Sequence, residues 1–294
     1  MVRMKKRWSL FSIAFLSPSF ILYTLFIIVP VLYSIYYSFT RWSLGKKPEL
    51  IWFDNYVQLF KDPTYWKVVG NTLTLAFYTV VFQVSLGLIF AYLLFLTIRG
   101  FKFFRTVYFV PVVVAPITIG IMFSLFYNGD LGPINKFLVA IEAPNLAHNW
   151  LSDTKVVLYS VIAPQVWQYI GLFTVILLAG MQSISSEVFD SAKIDGASSM
   201  RILISIVIPL LSEFLGICFI LAVTGSLKSF DTPWALTKGG PGVASSYIAT
   251  LMYKSAFLKY QFGYASAITV TIMVYAVTFT VFFKKIISRY STEY

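Results

Sequence analysis

Apolar residues occur along this chain in six long runs that are separated by short polar segments. The runs cover about 11–39, 71–97, 107–127, 156–181, 209–230 and 265–283, and each can cross roughly 30 Å of hydrocarbon as a helix. Open strands cannot satisfy their backbone hydrogen bonds in lipid, so the runs predict helices. Pro18 and Pro30 fall within the first run and predict a kink or a late helix start there. The pattern as a whole predicts an all-α integral membrane protein with six transmembrane helices.

The amino terminus is basic and then turns apolar, in the order "MVRMKKRWSLF". A cleaved signal peptide has a short apolar region followed by a cleavage site of small residues. Here the apolar run continues to about Phe39. The segment therefore predicts an uncleaved first transmembrane helix.

Lysine and arginine are denser in the segments that share a side of the membrane with the N-terminus. Those segments total roughly 55 residues, and the other bases are spread over roughly 90 residues at the opposite ends of the runs. Cytoplasmic segments carry such an excess, so both termini are predicted to be cytoplasmic. The inside segments hold 12 of the 23 basic residues: Arg3, Lys5, Lys6, Arg7, Arg99, Lys102, Arg105, Lys193, Arg201, Lys284, Lys285 and Arg289. The outward segments hold tryptophans that suit an interfacial belt: Trp42, Trp52, Trp66 and Trp150.

The composition agrees with a lipid environment. Of the 294 residues, 58% are hydrophobic and 12% are charged, and the mean hydropathy is +0.78. Soluble domains are about one quarter charged. A formal net charge of +11 is compatible with a nucleic-acid partner, but these bases lie beside apolar runs, where they orient a membrane protein. No nucleic acid is therefore expected to bind.

Few residues in the chain could carry catalysis. Cys218 lies in an apolar run and is predicted to be a packed thiol, and His148 has no second histidine or cysteine with which to bind a metal. The phosphate-binding pattern G-x-x-x-x-G-K-[ST] is absent from the sequence. A membrane enzyme would need a nucleophile, a base or metal ligands, so the sequence argues against one.

One polar segment, about 182–208, interrupts the apolar pattern between the fourth and fifth runs. Ser185 is a suitable N-cap, and Glu187 and Asp190 favour the positive end of a helix dipole. Gly196 can adopt the left-handed conformation that ends a helix. Ser198 or Ser199 can then cap a second helix, and an apolar face is expected from Val188, Phe189 and Ala192. The segment predicts a short helix, a sharp turn and a longer helix; it is either a docking protrusion or an ordinary helical loop.

This segment resembles the EAA motif of ABC importer permeases. In "DSAKIDGAS" followed by "IVIP", residues 195–197 match the D-G-A of that motif and Pro209 matches its closing proline. Asp190 and Ser191 stand where the family usually has Glu and Ala, so Asp190 keeps the charge with a shorter reach. The resemblance implies that the loop is a coupling helix which docks into a cleft of an ATPase subunit. The implied coupling residues are Glu187, Asp190, Ala192, Asp195, Gly196, Ala197 and Arg201.

Other stretches are similar, in the expected order, to the carbohydrate branch of the same family, which is related to the larger membrane subunit of the maltose importer and to the glycerol-phosphate permease. They are "FDNYVQLFKDPTYWKVVGNTL" (53–73), "FFRTVYFVPVVVAP" (103–116), "YNGDLGPIN" (127–135), "LTKGGPG" (236–242) and "YKSAFLKYQFGYASA" (253–267). The resemblance implies a type I permease fold with the coupling helix between spans four and five. It also implies a tail, first helix and outward loop at 1–70, a permease core at 71–285 and a cytoplasmic tail at 286–294.

Polar residues in the fourth and fifth runs are candidates for substrate contact. Intramembrane polar groups are costly and usually face a cavity. By resemblance, the sugar-contacting positions are Gln165, Gln168, Tyr169, Leu172, Gly225, Ser226 and Ser229. The glutamines could equally bond a neighbouring helix, and the aromatic residues Trp167 and Tyr169 could face lipid. Lys228 and Asp231 are three residues apart, which favours a pair on one helix face over ligand contact.

The resemblance implies a non-catalytic subunit of a bacterial or archaeal inner-membrane importer. Its implied partners are a second homologous permease, two cytoplasmic ATPase subunits and an extracellular binding protein that delivers a carbohydrate, with an oligosaccharide the favoured class. No cofactor is expected in this chain, because ATP and magnesium would be bound by the ATPase subunits. The alternative is an ion-coupled secondary transporter. Such proteins carry inverted repeats and mid-membrane acids, and the sequence shows no repeat between its two halves.

Overall fold

A computed structural model describes residues 10–96 and 100–290, and most of the described chain is helical. The predicted inside bases Arg3, Lys5, Lys6, Arg7 and Arg99 lie outside the described residues. The chain divides into two compact units. The first comprises the chain up to Lys61 together with Met252–Thr271, and the second comprises Asp62–Leu251 together with the chain from Ile272.

The first unit begins with a long helix whose character changes before a proline. It is α-helical over Leu10–Tyr23, π-helical over Thr24–Ile28 and α-helical over Val29–Ser38. Pro30 has no backbone N–H and cannot donate the hydrogen bond that an α-helix would have at this position. The wider π-turn before Pro30 removes the need for that bond. The helix runs through Pro18, and the predicted late start is wrong.

A small hairpin and a short helix complete the outward part of the first unit. Strand β1 (Thr40–Arg41) pairs antiparallel with β2 (Glu49–Leu50), and the helix Asp54–Lys61 follows. The Asn55 side chain donates to the Ser38 and Thr40 carbonyls at 2.8 and 2.9 Å, which fixes the hairpin to the end of the first helix. A Cβ at Gly263 would clash with the Thr40 carbonyl oxygen, so only glycine permits this close approach. Nearby in the sequence are the π-turn Lys254–Leu258 and the start of the last helix, Phe262–Tyr290.

The second unit contains two straight long helices that the sequence predicts well. The helix Pro63–Leu96 starts about eight residues before the predicted boundary, because the Asp62 side chain accepts a hydrogen bond from the Thr64 N–H at 2.8 Å and caps it. This helix contains a π-helical segment, Thr79–Val84. The helix Val157–Gln182 matches the fourth predicted span within one residue at either end.

The third predicted span is broken into two helices, whereas the predicted helix before the fifth span is present and meets that span at a sharp angle. Phe101–Val113 and Pro116–Phe126 meet at 93°, and Ser199–Leu210 and Ser212–Leu227 meet at 74°. Val114 and Ala115 are extended, as a residue before proline tends to be. Leu211 lies in the bridge region at φ −87° and ψ 7°. Among the described residues four helices are long and apolar enough to cross a membrane, or six if each bent pair is one span.

The helices of the second unit pack through one large apolar core. Its buried members come from residues 63–96, 157–182, 186–194 and 199–227 and include Leu94, Phe173, Leu177, Met181, Leu211 and Cys218. The Cys218 thiol is free and buried, as predicted. Large apolar side chains also remain exposed along the candidate spans, and such surface is stable only against lipid or another protein.

The remaining helical elements are short and lie between the spans. They are Pro133–Ala140, the 3₁₀ turn Pro144–Leu146, Ser186–Ile194, Asp231–Thr237 and Ile248–Tyr253. Of the predicted interfacial tryptophans, Trp52 and Trp66 are exposed. Trp150 is half-buried instead, and its indole N–H donates to Asn135 Oδ1 at 2.7 Å.

Candidate functional site

A cavity of about 290 Å³ lies within the second unit, between the helices Pro63–Leu96, Val157–Gln182 and Ser212–Leu227. The short helix Asp231–Thr237 contributes to its rim. Its lining comprises Leu75, Thr79, Gln83, Pro116, Gln165, Tyr169, Leu172, Phe173, Leu221, Ala222, Gly225, Ser226, Lys228, Ser229, Phe230, Asp231 and Thr232. A concave, largely apolar wall with a few polar groups is typical of a small-molecule site.

The polar groups of the wall are joined by hydrogen bonds between helices. Gln83 Nε2 donates to the Gln165 carbonyl at 2.9 Å, and the Thr79 and Ser226 hydroxyls lie 3.0 Å apart. The side-chain amide of Gln165 donates to the Ser229 hydroxyl oxygen. These bonds link the second, fourth and fifth spans, so the cavity wall has a defined shape before any ligand binds.

The structure brings six of the seven predicted substrate residues to this cavity: Gln165, Tyr169, Leu172, Gly225, Ser226 and Ser229. Gln168 does not line it. Its side chain is fully buried, and Nε2 donates to the Val114 carbonyl at 2.8 Å, where the third span is broken. This is the helix-to-helix bond that the sequence left open as the alternative for a glutamine here. Contact of the other six with sugar stays a prediction.

Two polar cavity residues, Thr79 and Gln83, were not identified from the sequence. They lie in the π-helical segment of the second span, and Leu75, Thr79 and Gln83 are spaced four residues apart. Polar residues at that spacing in an apolar helix share a face. This spacing was a signal by which Thr79 and Gln83 could have been identified from the sequence. The π-segment itself has no comparable sequence signature.

The predicted pairing of Lys228 with Asp231 is wrong. Residues three apart face each other only within a continuous helix. Here one helix ends at Leu227 and the next begins at Asp231, with Phe230 at φ −135° between them. No ion pair joins the two side chains in the described part of the chain, and both are exposed at the cavity.

The tryptophans near the site lie outside the cavity lining. Trp167 is 43% exposed and contributes to a separate apolar groove together with Tyr78, Phe82 and Tyr159. The ring of Trp234 stacks on the ring of Phe230 with centroids 5.4 Å apart. Trp167 therefore fits the lipid-facing alternative, whereas Tyr169 faces the cavity.

The loop "LTKGGPG" is held in place by a buried asparagine of the second span. The side-chain amide of Asn71 donates to the carbonyls of Val243, Ala244 and Ser246 at 3.0–3.1 Å. Ser246 in turn donates to the Gly239 carbonyl at 2.8 Å. The peptide bond between Gly240 and Pro241 is cis. The loop is thus fixed to the beginning of the second span.

The polar segment between the fourth and fifth spans forms the short helix Ser186–Ile194 and a sharp turn. The Ser185 hydroxyl caps it by accepting from the Glu187 N–H at 3.4 Å, and Gly196 ends it at φ 75°, as predicted. Ser198 caps the following helix. Of the three residues predicted to form an apolar face, Phe189 and Ala192 are buried and Val188 is 37% exposed.

The predicted coupling residues mostly lie on the open side of this helix and turn. Glu187, Asp190, Asp195, Gly196 and Arg201 are exposed, Ala197 is half-buried and Ala192 is buried. Two large apolar side chains beside them are also open, Ile194 at 86% and Met200 at 64%. Lys193 pairs with Asp190 at 3.5 Å. An exposed surface of acids and apolar side chains suits a protein partner.

The protruding helix contacts the transmembrane helices directly. The Phe189 ring lies 5.0 Å from the Phe95 ring near the end of the second span. The Tyr92 hydroxyl donates to the Ser199 carbonyl at 2.6 Å. Packed side chains and a hydrogen bond therefore join the protrusion to the second span.

Comparison with known proteins identifies the family. Residues 83–291 match the family of binding-protein-dependent transport system inner membrane components. The chain is 35% identical, over 88% of its length and 90% of the relative's, to a probable ABC transporter permease protein, YurN, of Bacillus subtilis. It is 32% identical, over 88% of its length and 89% of the relative's, to the multiple sugar-binding transport system permease protein MsmF of Streptococcus mutans.

Among solved structures, a bacterial ABC transporter involved in import of the acidic polysaccharide alginate has a similar chain. The TM-score is 0.83 at 20% identity, and 95% of each chain is covered. The fold is therefore that of a type I ABC permease. The chain belongs to the family of binding-protein-dependent transport system inner membrane components: it is a multi-pass, non-catalytic ABC transporter permease.

Proposed function

We propose that this chain is one of two membrane subunits that line the pathway of an ABC importer for an oligosaccharide. The observation that carries the proposal is the cavity between the second, fourth and fifth spans, with amides, hydroxyls, one lysine, one aspartate and the Tyr169 ring in a largely apolar wall. Sugars present hydroxyls and apolar ring faces, and such a wall offers partners for both. The sugar-linked names of relatives such as MsmF support the substrate class.

The proposed membrane topology has six spans with both termini in the cytoplasm of a bacterial or archaeal cell. Each bent helix pair counts as one span in this scheme. The density of lysine and arginine supports the orientation. It puts the helix Ser186–Ile194 in the cytoplasm and the loop held by Asn71 outside, where an extracellular binding protein would deliver the sugar.

The helix Ser186–Ile194 and the turn at Gly196 serve in this proposal as the coupling helix. Two cytoplasmic ATPase subunits, one on this chain and one on a second homologous permease, would bind ATP and magnesium. Closure of the ATPase dimer would push the exposed coupling surface, and the contacts at Phe95 and Tyr92 would move the spans as rigid bodies.

The first test is co-purification of the chain with its ATPase from membranes in mild detergent. We expect Asp195→Arg combined with Gly196→Pro to lose the ATPase, because the charge reverses and proline cannot adopt φ 75°. The second homologous permease should remain bound. Asp130→Arg, an equal charge change at an exposed residue outside the coupling surface, is the matched control.

The second test is uptake in proteoliposomes that contain the co-purified complex and its binding protein. ATP-dependent sugar uptake supports the proposal. Solute uptake by the purified chain without ATP would reject it in favour of an ion-coupled secondary transporter.

A further inference from the structure

Several neutral hydrogen-bond donors of the cavity wall are used in bonds between protein groups. The Ser226 hydroxyl donates to the Ala222 carbonyl at 2.8 Å, and the Thr79 hydroxyl donates to the Ala76 carbonyl at 2.8 Å. The side-chain amides of Gln83 and Gln165 each donate one N–H to another wall residue. These bonds shape the cavity, and each amide keeps a second N–H.

Two charged groups are open at the cavity, beside neutral donors such as the Tyr169 hydroxyl. Gln165 Oε1 is buried and has no hydrogen-bond partner among the described residues. Lys228 and Asp231 are exposed at the cavity and are its only charged lining residues, and the described part of the chain shows no ion pair between them. The break between the helices that end at Leu227 and begin at Asp231 keeps them from sharing a helix face.

We propose that Lys228 and Asp231 act as a charge-balanced pair that selects uncharged saccharides, which deepens the proposed function and rests on it. A sugar hydroxyl can donate to the Asp231 carboxylate and can accept from the Lys228 ammonium. Hydrogen bonds to charged groups are stronger than hydrogen bonds between neutral groups. The pair can therefore bind sugar hydroxyls although the ligand carries no charge.

A charged sugar meets a repulsive partner wherever it lies in this cavity. A uronate carboxylate gains at Lys228 but is opposed by Asp231, and the ammonium of an amino sugar gains at Asp231 but is opposed by Lys228. The charged sugar also loses hydration on entering the mostly apolar wall, where charges are weakly screened. An uncharged sugar avoids both costs, and removal of one charge should admit the ligand of that same sign.

The test is direct binding to the permease complex in nanodiscs without binding protein, so that only the membrane cavity selects. Saturation-transfer NMR titration suits the weak affinities expected. The probes are two matched pairs: digalacturonate with its dimethyl ester, and the glucosamine disaccharide with diacetylchitobiose. Within each pair only the charge-bearing group is altered. We expect each uncharged member to bind about tenfold or more tightly than its charged counterpart.

The variants should shift this preference in opposite directions. Asp231→Asn should tighten digalacturonate binding about tenfold, and Lys228→Gln should do the same for the glucosamine disaccharide. Asp231→Ser is a second charge-removing variant, since Asp231 opens a helix and serine also suits that position. Asp130→Asn and Lys136→Gln, which remove equal charges at exposed residues outside the cavity, should leave every ratio unchanged.

The outcomes separate this inference from the proposed function. Equal affinity for the charged and uncharged members of each saccharide pair overturns the role of Lys228 and Asp231. Affinity ratios that neither cavity variant changes overturn it as well. Neither result contradicts the proposed importer function. Absence of binding by all four saccharides, together with absence of ATP-dependent sugar uptake, overturns the proposed function itself.

Discussion

Gly171 lies in the fourth span directly against the backbone of the third. A Cβ at this position would clash with the Tyr108 carbonyl oxygen and crowd Cα of Phe109. Backbone atoms cannot move aside as a flexible side chain can, so the two helices approach closely only because residue 171 is glycine. This is a packing constraint that the apolar pattern of the sequence does not reveal.

Gly171→Ala is expected to lower the free energy of unfolding by about 1–3 kcal/mol, because the added methyl forces the third and fourth spans apart. The measurement is thermal unfolding in detergent, followed by loss of the monodisperse size-exclusion peak. Gly70→Ala is the matched control, since Gly70 is also helical and has no atom within 4 Å of an added Cβ. An equal effect of the two substitutions would contradict the packing argument.

The break in the third apolar run shows how a single helix departs from the sequence pattern. Hydropathy gives a run of apolar residues and is blind to direction, so this run was predicted as a single span. The break at Val114 and Ala115 leaves the Val114 carbonyl without a helical partner, and Gln168 of the fourth span supplies the donor. The glutamine thus maintains the bend of a neighbouring element.

Gln168→Glu tests this role of Gln168 in the broken span. A buried carboxylate cannot donate to the Val114 carbonyl, so we expect unfolding free energy to fall by about 3 kcal/mol or more. Thermal unfolding without sugar is the measurement, and Gln182→Glu at an exposed position of the same helix is the control. If Gln168 instead only contacts sugar, uptake would fall while thermal stability stayed unchanged.

In the proposed function, the helix Ser186–Ile194 is coupled to the spans through contacts within the second unit. The Tyr92 hydroxyl bonds to the Ser199 carbonyl, at the start of the helix that follows the turn. This bond connects the second span to the segment that an ATPase would move. Its loss should therefore weaken the coupling of ATP hydrolysis to transport more than it lowers the free energy of unfolding.

Tyr92→Phe is expected to lower the number of sugars transported per ATP hydrolysed by roughly twofold to tenfold, as loss of a bond of about 0.5–1.5 kcal/mol allows. ATP hydrolysis itself should persist. Uptake and hydrolysis are measured on the same proteoliposomes, with Tyr159→Phe, an exposed tyrosine outside the contact, as control. An unchanged ratio would show that coupling passes through other contacts, such as Phe95 with Phe189.

The sequence alone was sufficient for features that depend on local chemistry. The helical runs followed from their apolar length, and the start and end of the short helix Ser186–Ile194 followed from Ser185 and Gly196, whose side chain or conformational freedom acts on adjacent backbone. Six of the seven candidate sugar residues, which came from the family resemblance, also line one cavity.

Tertiary structure decided the features that depend on partners far apart in the chain. Whether Gln168 faces a cavity or a broken helix depends on the position of Val114, 54 residues away. Thr79 and Gln83 became cavity residues through packing of the second span on the fourth and fifth. Lys228 and Asp231 have helical spacing but no common helix, since the chain breaks between them. Hydrophobic patterns and helix caps act over a few neighbouring residues, so they can be predicted from the sequence. The groups that a side chain contacts depend on which helix packs against it, so they require the tertiary structure.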